Sequence, residues 1–204
     1  MEKLKTDIID LMLLHQPFGD YYGAWRALEE LYEAGKLRAI GISNFYPDRM
    51  VDIASFSRIR PMINQVEVHP HNQQIVAKKW NEKYGLQLEA WAPFGEGRGG
   101  MFELPELKAI ADEYDKTVAQ VILRWHLQRG IVVIPKSTHI ERMQENFNVF
   151  DFELTSEDMA VIATLDKNTS SFFSHYDPNM VEWFVKMVEE HKKQQDGSKE
   201  KKSW

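Results

Sequence analysis

Along most of this chain, short apolar runs alternate with longer stretches of helical spacing, each pair separated by a turn. Residues 8–14 (IIDLMLL) read as a buried strand, and residues 22–34 as a helix in which Trp25, Leu28, Leu31 and Tyr32 form one stripe. Gly35 ends that helix. The pattern repeats with a strand over 37–42 and a helix over 47–57, then a strand over 63–68 and a helix over 73–84 stopped by Gly85. A strand over 86–91 leads into the glycine-rich run FGEGRGG and helices over 105–114 and 118–128. Residues 131–134 make a fifth strand, followed by helices over 139–147 and 156–165, the latter with Thr155 as its N-cap. Residues 170–184 (SSFFSHYDPNMVEWF) read as an irregular aromatic stretch, and the closing KKQQDGSKEKKSW as a frayed helix and disordered tail. The organisation predicted is one domain over 1–185 with a polar tail over 186–204.

Nearly continuous apolar strands, each followed by a helix, imply a parallel sheet covered by helices. That is either a doubly wound sheet or a (β/α)8 barrel, and periodicity does not choose between them. Five βα units are visible, whereas a closed barrel takes eight strands and about 250 residues.

With 204 residues, 43% of them hydrophobic, the chain can fill a core. Its 31 acidic residues against 25 basic ones give a net charge of -6, which argues against nucleic acid as a partner because phosphate contact needs a basic face. The absence of cysteine excludes disulfides, thiolate catalysis and Cys-based metal sites, and no metal site is expected. Asp7 and Asp10 interrupt the apolar start, which reads as a helix end leading into a strand rather than a leader peptide. No apolar run is long enough to cross a bilayer, and the lack of cysteine makes the cytoplasm the expected location.

In parallel α/β folds, chemistry collects at the C-terminal strand ends. Here those ends carry His15, Ser43 with Asn44, Gln65 with Glu67, Trp91, and Lys136 with Ser137. Each has an ordinary explanation taken alone: a structural histidine, turn chemistry before Phe45 and Pro47, core filling by Trp91. Lys136 and Arg142, near a predicted helix start, run against the helix dipole, an objection that an anionic ligand would remove.

Three strings in order, LLHQP, the stretch from Leu28 through RAIGISNF, and IPKSTHIERMQEN, resemble the aldo-keto reductases. The stretch SSFFSHYDPNMVEWF is similar to that family's C-terminal substrate loop. The resemblance implies a (β/α)8 TIM-barrel fold, here incomplete, with the fourth to eighth βα units plus C-terminal helices. It implies NADP(H) as cofactor and a small carbonyl compound as substrate. By the same resemblance His15 is the active-site histidine that orients the substrate carbonyl, and Ser43, Asn44 and Gln65 bind the nicotinamide carboxamide. Trp91 stacks under the nicotinamide, Lys136, Ser137 and Arg142 clamp the 2'-phosphate, and Glu145 with Asn146 contact adenine. The backbone over 92–97 follows the pyrophosphate, where a close approach favours glycine.

Two departures qualify this picture. Gln16 stands where the family often has tryptophan, which predicts a more polar pocket. The family's catalytic tyrosine, lysine and aspartate lie on earlier strands, and nothing before Ile8 supplies them; Tyr21 and Tyr22 are expected to pack instead. The function expected is NADPH-dependent reduction of an aldehyde or ketone. The rivals are a truncated or non-catalytic NADP(H)-binding protein, and an assembly in which another chain supplies the missing strands. The strands over 8–14 and 131–134 are then edges open to self-association.

Overall fold

The computed structural model describes residues 2–200, with the side chains of residues 3–191. It divides into two compact units, Met1–Ser171 and Phe172–Trp204. In the first, strands β1 (Ile9–Leu14), β2 (Leu37–Ser43), β3 (Ile63–Glu67), β4 (Gln87–Trp91) and β5 (Val132–Val133) form one parallel sheet in sequential order. Helices α1 (Tyr21–Glu33), α2 (Pro47–Phe56) and α3 (Ile75–Tyr84) connect the first four strands, and α4 (Pro105–Glu113) with α5 (Val118–Gln128) leads to the fifth. Helices α6 (Ile140–Phe147) and α7 (Ser156–Ala163) follow β5.

Local chemistry sets these boundaries. Asp20 caps α1 by accepting from the Gly23 N–H, while Thr117 and Thr155 open α5 and α7 with reciprocal bonds to Gln120 and Asp158. Burial then holds the helices on the sheet. Trp25, Ile40, Ile42, Phe45, Met50 and Ile53 form one apolar cluster; Val66, Val68, Leu88, Leu107, Ile122, Trp125 and Ile131 anchor a second. At Gly41 a Cβ would sit 2.7 Å from Leu13 Cδ2 and 2.8 Å from the Ile63 carbonyl oxygen, so β2 passes too close to its neighbours for any side chain.

Three local readings shift. Leu31, assigned by spacing to the buried stripe of α1, is 45% exposed, while Glu29 is buried and its carboxylate accepts from the Ile59 N–H at 2.7 Å. Spacing locates the middle of a buried face but not its width. The fifth strand pairs over two residues rather than four, because Pro135 offers no N–H and, among the described residues, only β4 lies beside it in the sheet. In the second unit, taken by itself, helix α8 (Pro178–Glu200) begins inside the stretch expected to be irregular; proline suits a first helical position. Within that unit Phe173 packs edge-on to Phe184, ring centroids 5.9 Å apart. Of the expected tail, residues 201–204 and the side chains from 192 onward lie outside the described residues.

Candidate cofactor site at the strand ends

Asn44 organises the C-terminal ends of the first four strands. Its left-handed backbone (φ 64°) turns the chain out of β2, a conformation that asparagine tolerates better than most residues. Its side-chain amide donates to the His15 carbonyl and to Ser43 Oγ, each at 3.1 Å, and accepts from Trp91 Nε1 at 2.8 Å. One amide therefore ties the ends of β1, β2 and β4 together. Ser43 lies opposite Gln65 in the sheet register, and its hydroxyl donates to the Gln65 carbonyl at 3.0 Å. The Asn44 N–H donates to the same oxygen at 2.9 Å. Gln65 Nε2 donates to Glu89 Oε1 at 2.5 Å. Ser43 and Asn44 are buried, Gln65 and Trp91 half-buried, and His15 is exposed.

Two members of this cluster escape a reading of the sequence. Glu89 is one; its signal is a lone carboxylate in the strand LQLEAW, two residues before Trp91. Arg49 is the other. It donates to the Pro17 carbonyl at 3.0 Å and lies over the Phe18 ring at 5.6 Å, fixing the loop that follows His15.

The remaining predicted residues come together at α6. Lys136, Ser137, Arg142, Glu145 and Asn146 line a cavity of about 780 Å³, shared with Phe94 and Thr117. Glu145 accepts from Thr117 Oγ1 at 2.6 Å, which fastens α6 to the start of α5. Lys136 and Arg142 are exposed, and among the described residues no carboxylate lies within 4.0 Å of either. Phe94, three residues beyond Trp91, joins this cavity to the end of β4. In the glycine-rich segment Gly95–Glu103, Gly97 and Gly100 have left-handed backbones (φ 77° and 64°), and a Cβ on either would meet nothing within 4 Å. Backbone conformation, rather than crowding by the protein, accounts for glycine there.

A buried polar knot supports the end of β3. Glu67 accepts from His69 Nε2 at 2.8 Å, from Ser170 Oγ at 2.5 Å and from the Ser171 N–H at 2.7 Å. Burial pushes its pKa up, but these hydrogen bonds outweigh burial and hold the carboxyl below its ordinary range. Tyr22 donates to Asp52 at 2.8 Å, and burial followed by that bond pushes its pKa up to about 12. It is engaged in packing and is a weaker acid than an ordinary tyrosine.

The sequence profile of the Aldo/keto reductase family matches residues 1–167. The chain belongs to this family. It is 48% identical to an uncharacterised oxidoreductase, YtbE, of Bacillus subtilis (strain 168), over 169 residues that make up 82% of this chain and 60% of that one. It is 46% identical to a glyoxal reductase of the same organism, with the same coverage. A solved Bombyx mori aldo-keto reductase (AKR2E4) in complex with NADP superimposes with a TM-score of 0.80 at 36% identity, covering 84% of this chain and 62% of that one. The chain thus spans about three fifths of the length of the relatives it matches. As an aldo-keto reductase it has the (β/α)8 type of fold, of which these residues hold five parallel strands and their helices.

Proposed function

We propose that this chain is the NADP(H)-binding part of a reductase that converts an aldehyde or ketone into an alcohol. The observation that carries this reading is the pair of exposed cations, Lys136 and Arg142, on a cavity they share with Ser137, Glu145 and Asn146 and, among the described residues, with no carboxylate within 4.0 Å of either. Two cations and a hydroxyl suit a ribose 2'-phosphate. Glu145 and Asn146, one turn further along α6, would meet adenine. The strand-end cluster suits a carboxamide. The amide hydrogens of Asn44 are engaged, but its Oδ1 keeps one lone pair and Gln65 keeps its side-chain carbonyl, so the cluster offers acceptors to an NH2 group. Trp91, tied to Asn44, would lie flat against the nicotinamide.

When bound, the cofactor supplies a hydride to the carbonyl carbon. His15 would hold the substrate oxygen through its exposed imidazole, on a loop fixed by Asn44 and Arg49. Protonation of that oxygen is assigned to a residue outside these 204, in keeping with the family resemblance. Small carbonyl compounds such as glyoxal are the substrates to try first, since a glyoxal reductase is among the relatives. Gln16 in the loop argues for polar ones. The cytoplasm is the proposed location.

A second reading, binding without turnover until other strands join the sheet, is favoured by its two edges. Met12 on β1 and Val132 on β5 are 43% and 40% exposed, and Phe147 on α6 is 78% exposed. Titration of NADPH and NADH against tryptophan fluorescence tests the cofactor assignment: NADPH is expected to bind at least about tenfold tighter, and equal dissociation constants would refute it. Light scattering with glyoxal-dependent NADPH oxidation on the same sample separates the two readings. Self-association without turnover supports the second, and a monomer that reduces glyoxal eliminates it.

A further inference from the structure

We propose that Glu89 is a positioning residue that fixes which end of the Gln65 amide faces the nicotinamide carboxamide. The proposal rests on the cofactor assignment above. Gln65 and Glu89 are register partners on β3 and β4, and Glu89 is 7% exposed, on the face of β4 that carries Trp91. A carboxylate only accepts hydrogen bonds. Glu89 Oε1 therefore obliges Gln65 to present its NH2 group, and the two groups lie 2.5 Å apart. That choice leaves Gln65 Oε1 for a ligand; among the described residues nothing donates to it. The rest of the cluster agrees. Asn44 donates to His15 and Ser43, and Ser43 donates to the Gln65 backbone, so little donor capacity remains while acceptors do.

Without Glu89 the Gln65 amide is released to rotate by half a turn, and its NH2 would then face the NH2 of the ligand. An ordinary glutamine at a strand end has no such preference, because its two ends are nearly the same size. Glu89 acts through another side chain and touches no reacting atom.

The test measures calorimetric affinity for NADP+ and for 2',5'-ADP, which lacks the nicotinamide, in the unaltered chain, Glu89→Leu, Gln65→Leu and the double variant. Glu89→Leu removes the buried carboxylate whole and costs the half-buried Gln65 amide its partner, and 2',5'-ADP binding reports whether the fold is intact. Glu89→Leu is expected to weaken NADP+ about tenfold with 2',5'-ADP unchanged, and to have no further effect once Gln65 is leucine. An unchanged ratio of the two affinities in Glu89→Leu overturns the proposal, as does an equal loss in both backgrounds. Should Glu89→Leu not fold, Glu89→Gln carries the test, since its amide can meet Gln65 with either end. A loss of NADP+ affinity of about threefold or more supports the proposal, and none overturns it. Failure of 2',5'-ADP to bind the unaltered chain would overturn the cofactor assignment itself and this proposal with it.

Discussion

At the ends of β2, β3 and β4, polar side chains already have protein partners: Ser43 with Gln65, Asn44 with His15 and Trp91, Gln65 with Glu89. At α6 the reverse holds, where Lys136 and Arg142 stand exposed over a cavity with no carboxylate, among the described residues, within 4.0 Å of either. The first region is built before any ligand arrives. It is cross-linked, partly buried and uncharged among the partners of Asn44, which suits setting an orientation and gives little net attraction. The second is open and charged, which suits attracting an anion. Affinity and orientation should therefore be separable by mutation.

The largest effect tests the charged region. Replacing both Lys136 and Arg142 with alanine is expected to weaken NADPH on the order of 1,000-fold and leave NADH nearly unchanged, as the loss of two charge-assisted contacts requires. Fluorescence titration measures both, and a uniform loss for the two cofactors would erase the distinction between the regions.

Next in size is the stability of the preformed region. His126 is fully buried, with Nε2 at 3.0 Å from the Val68 carbonyl just beyond β3 and Nδ1 at 2.7 Å from the Ile122 carbonyl. Burial lowers its pKa from 6.5 to about 4, against the opposing pull of the two carbonyls. Below pH 6.5 the unfolded chain takes up a proton that the folded chain refuses until about pH 4. Stability is thus fully present above that window and is lost as pH falls through it, by on the order of 3 kcal/mol. Urea unfolding across that range should show the loss, and His126→Gln should flatten it. An unchanged slope in the variant would remove His126 from the account.

The smallest expected effect separates stacking from cross-linking. Trp91→Phe keeps an aromatic face but deletes the N–H that holds Asn44. NADP+ should bind about three- to tenfold more weakly, 2',5'-ADP equally well, and quenching of tryptophan fluorescence by NADPH should shrink. Equal losses for both ligands would mean that Trp91 matters to the fold alone.

What the sequence made legible follows the same division. The βα order emerged from periodicity because strands buried by helices are continuously apolar, and the helix start at Thr155 carries its own cap. Lys136 and Arg142 stood out because two cations near a helix start run against the helix dipole. Periodicity did not reveal Glu89 or Arg49, since each acts across strands or loops: Glu89 on Gln65, 24 residues away, and Arg49 on Pro17, 32 residues away. The shortness of β5 was hidden for a related reason. Pairing needs a neighbour as well as a β-prone sequence, and among the described residues β5 has one only in β4.

The most direct measurement of the central claim is calorimetric binding of 2',5'-ADP against 5'-AMP, which differ only in the phosphate that Lys136 and Arg142 are assigned to hold. The account predicts that 2',5'-ADP binds at least about tenfold tighter and that Arg142→Ala removes most of the difference. Equal affinities for the two nucleotides, or a difference that survives Arg142→Ala unchanged, would contradict it.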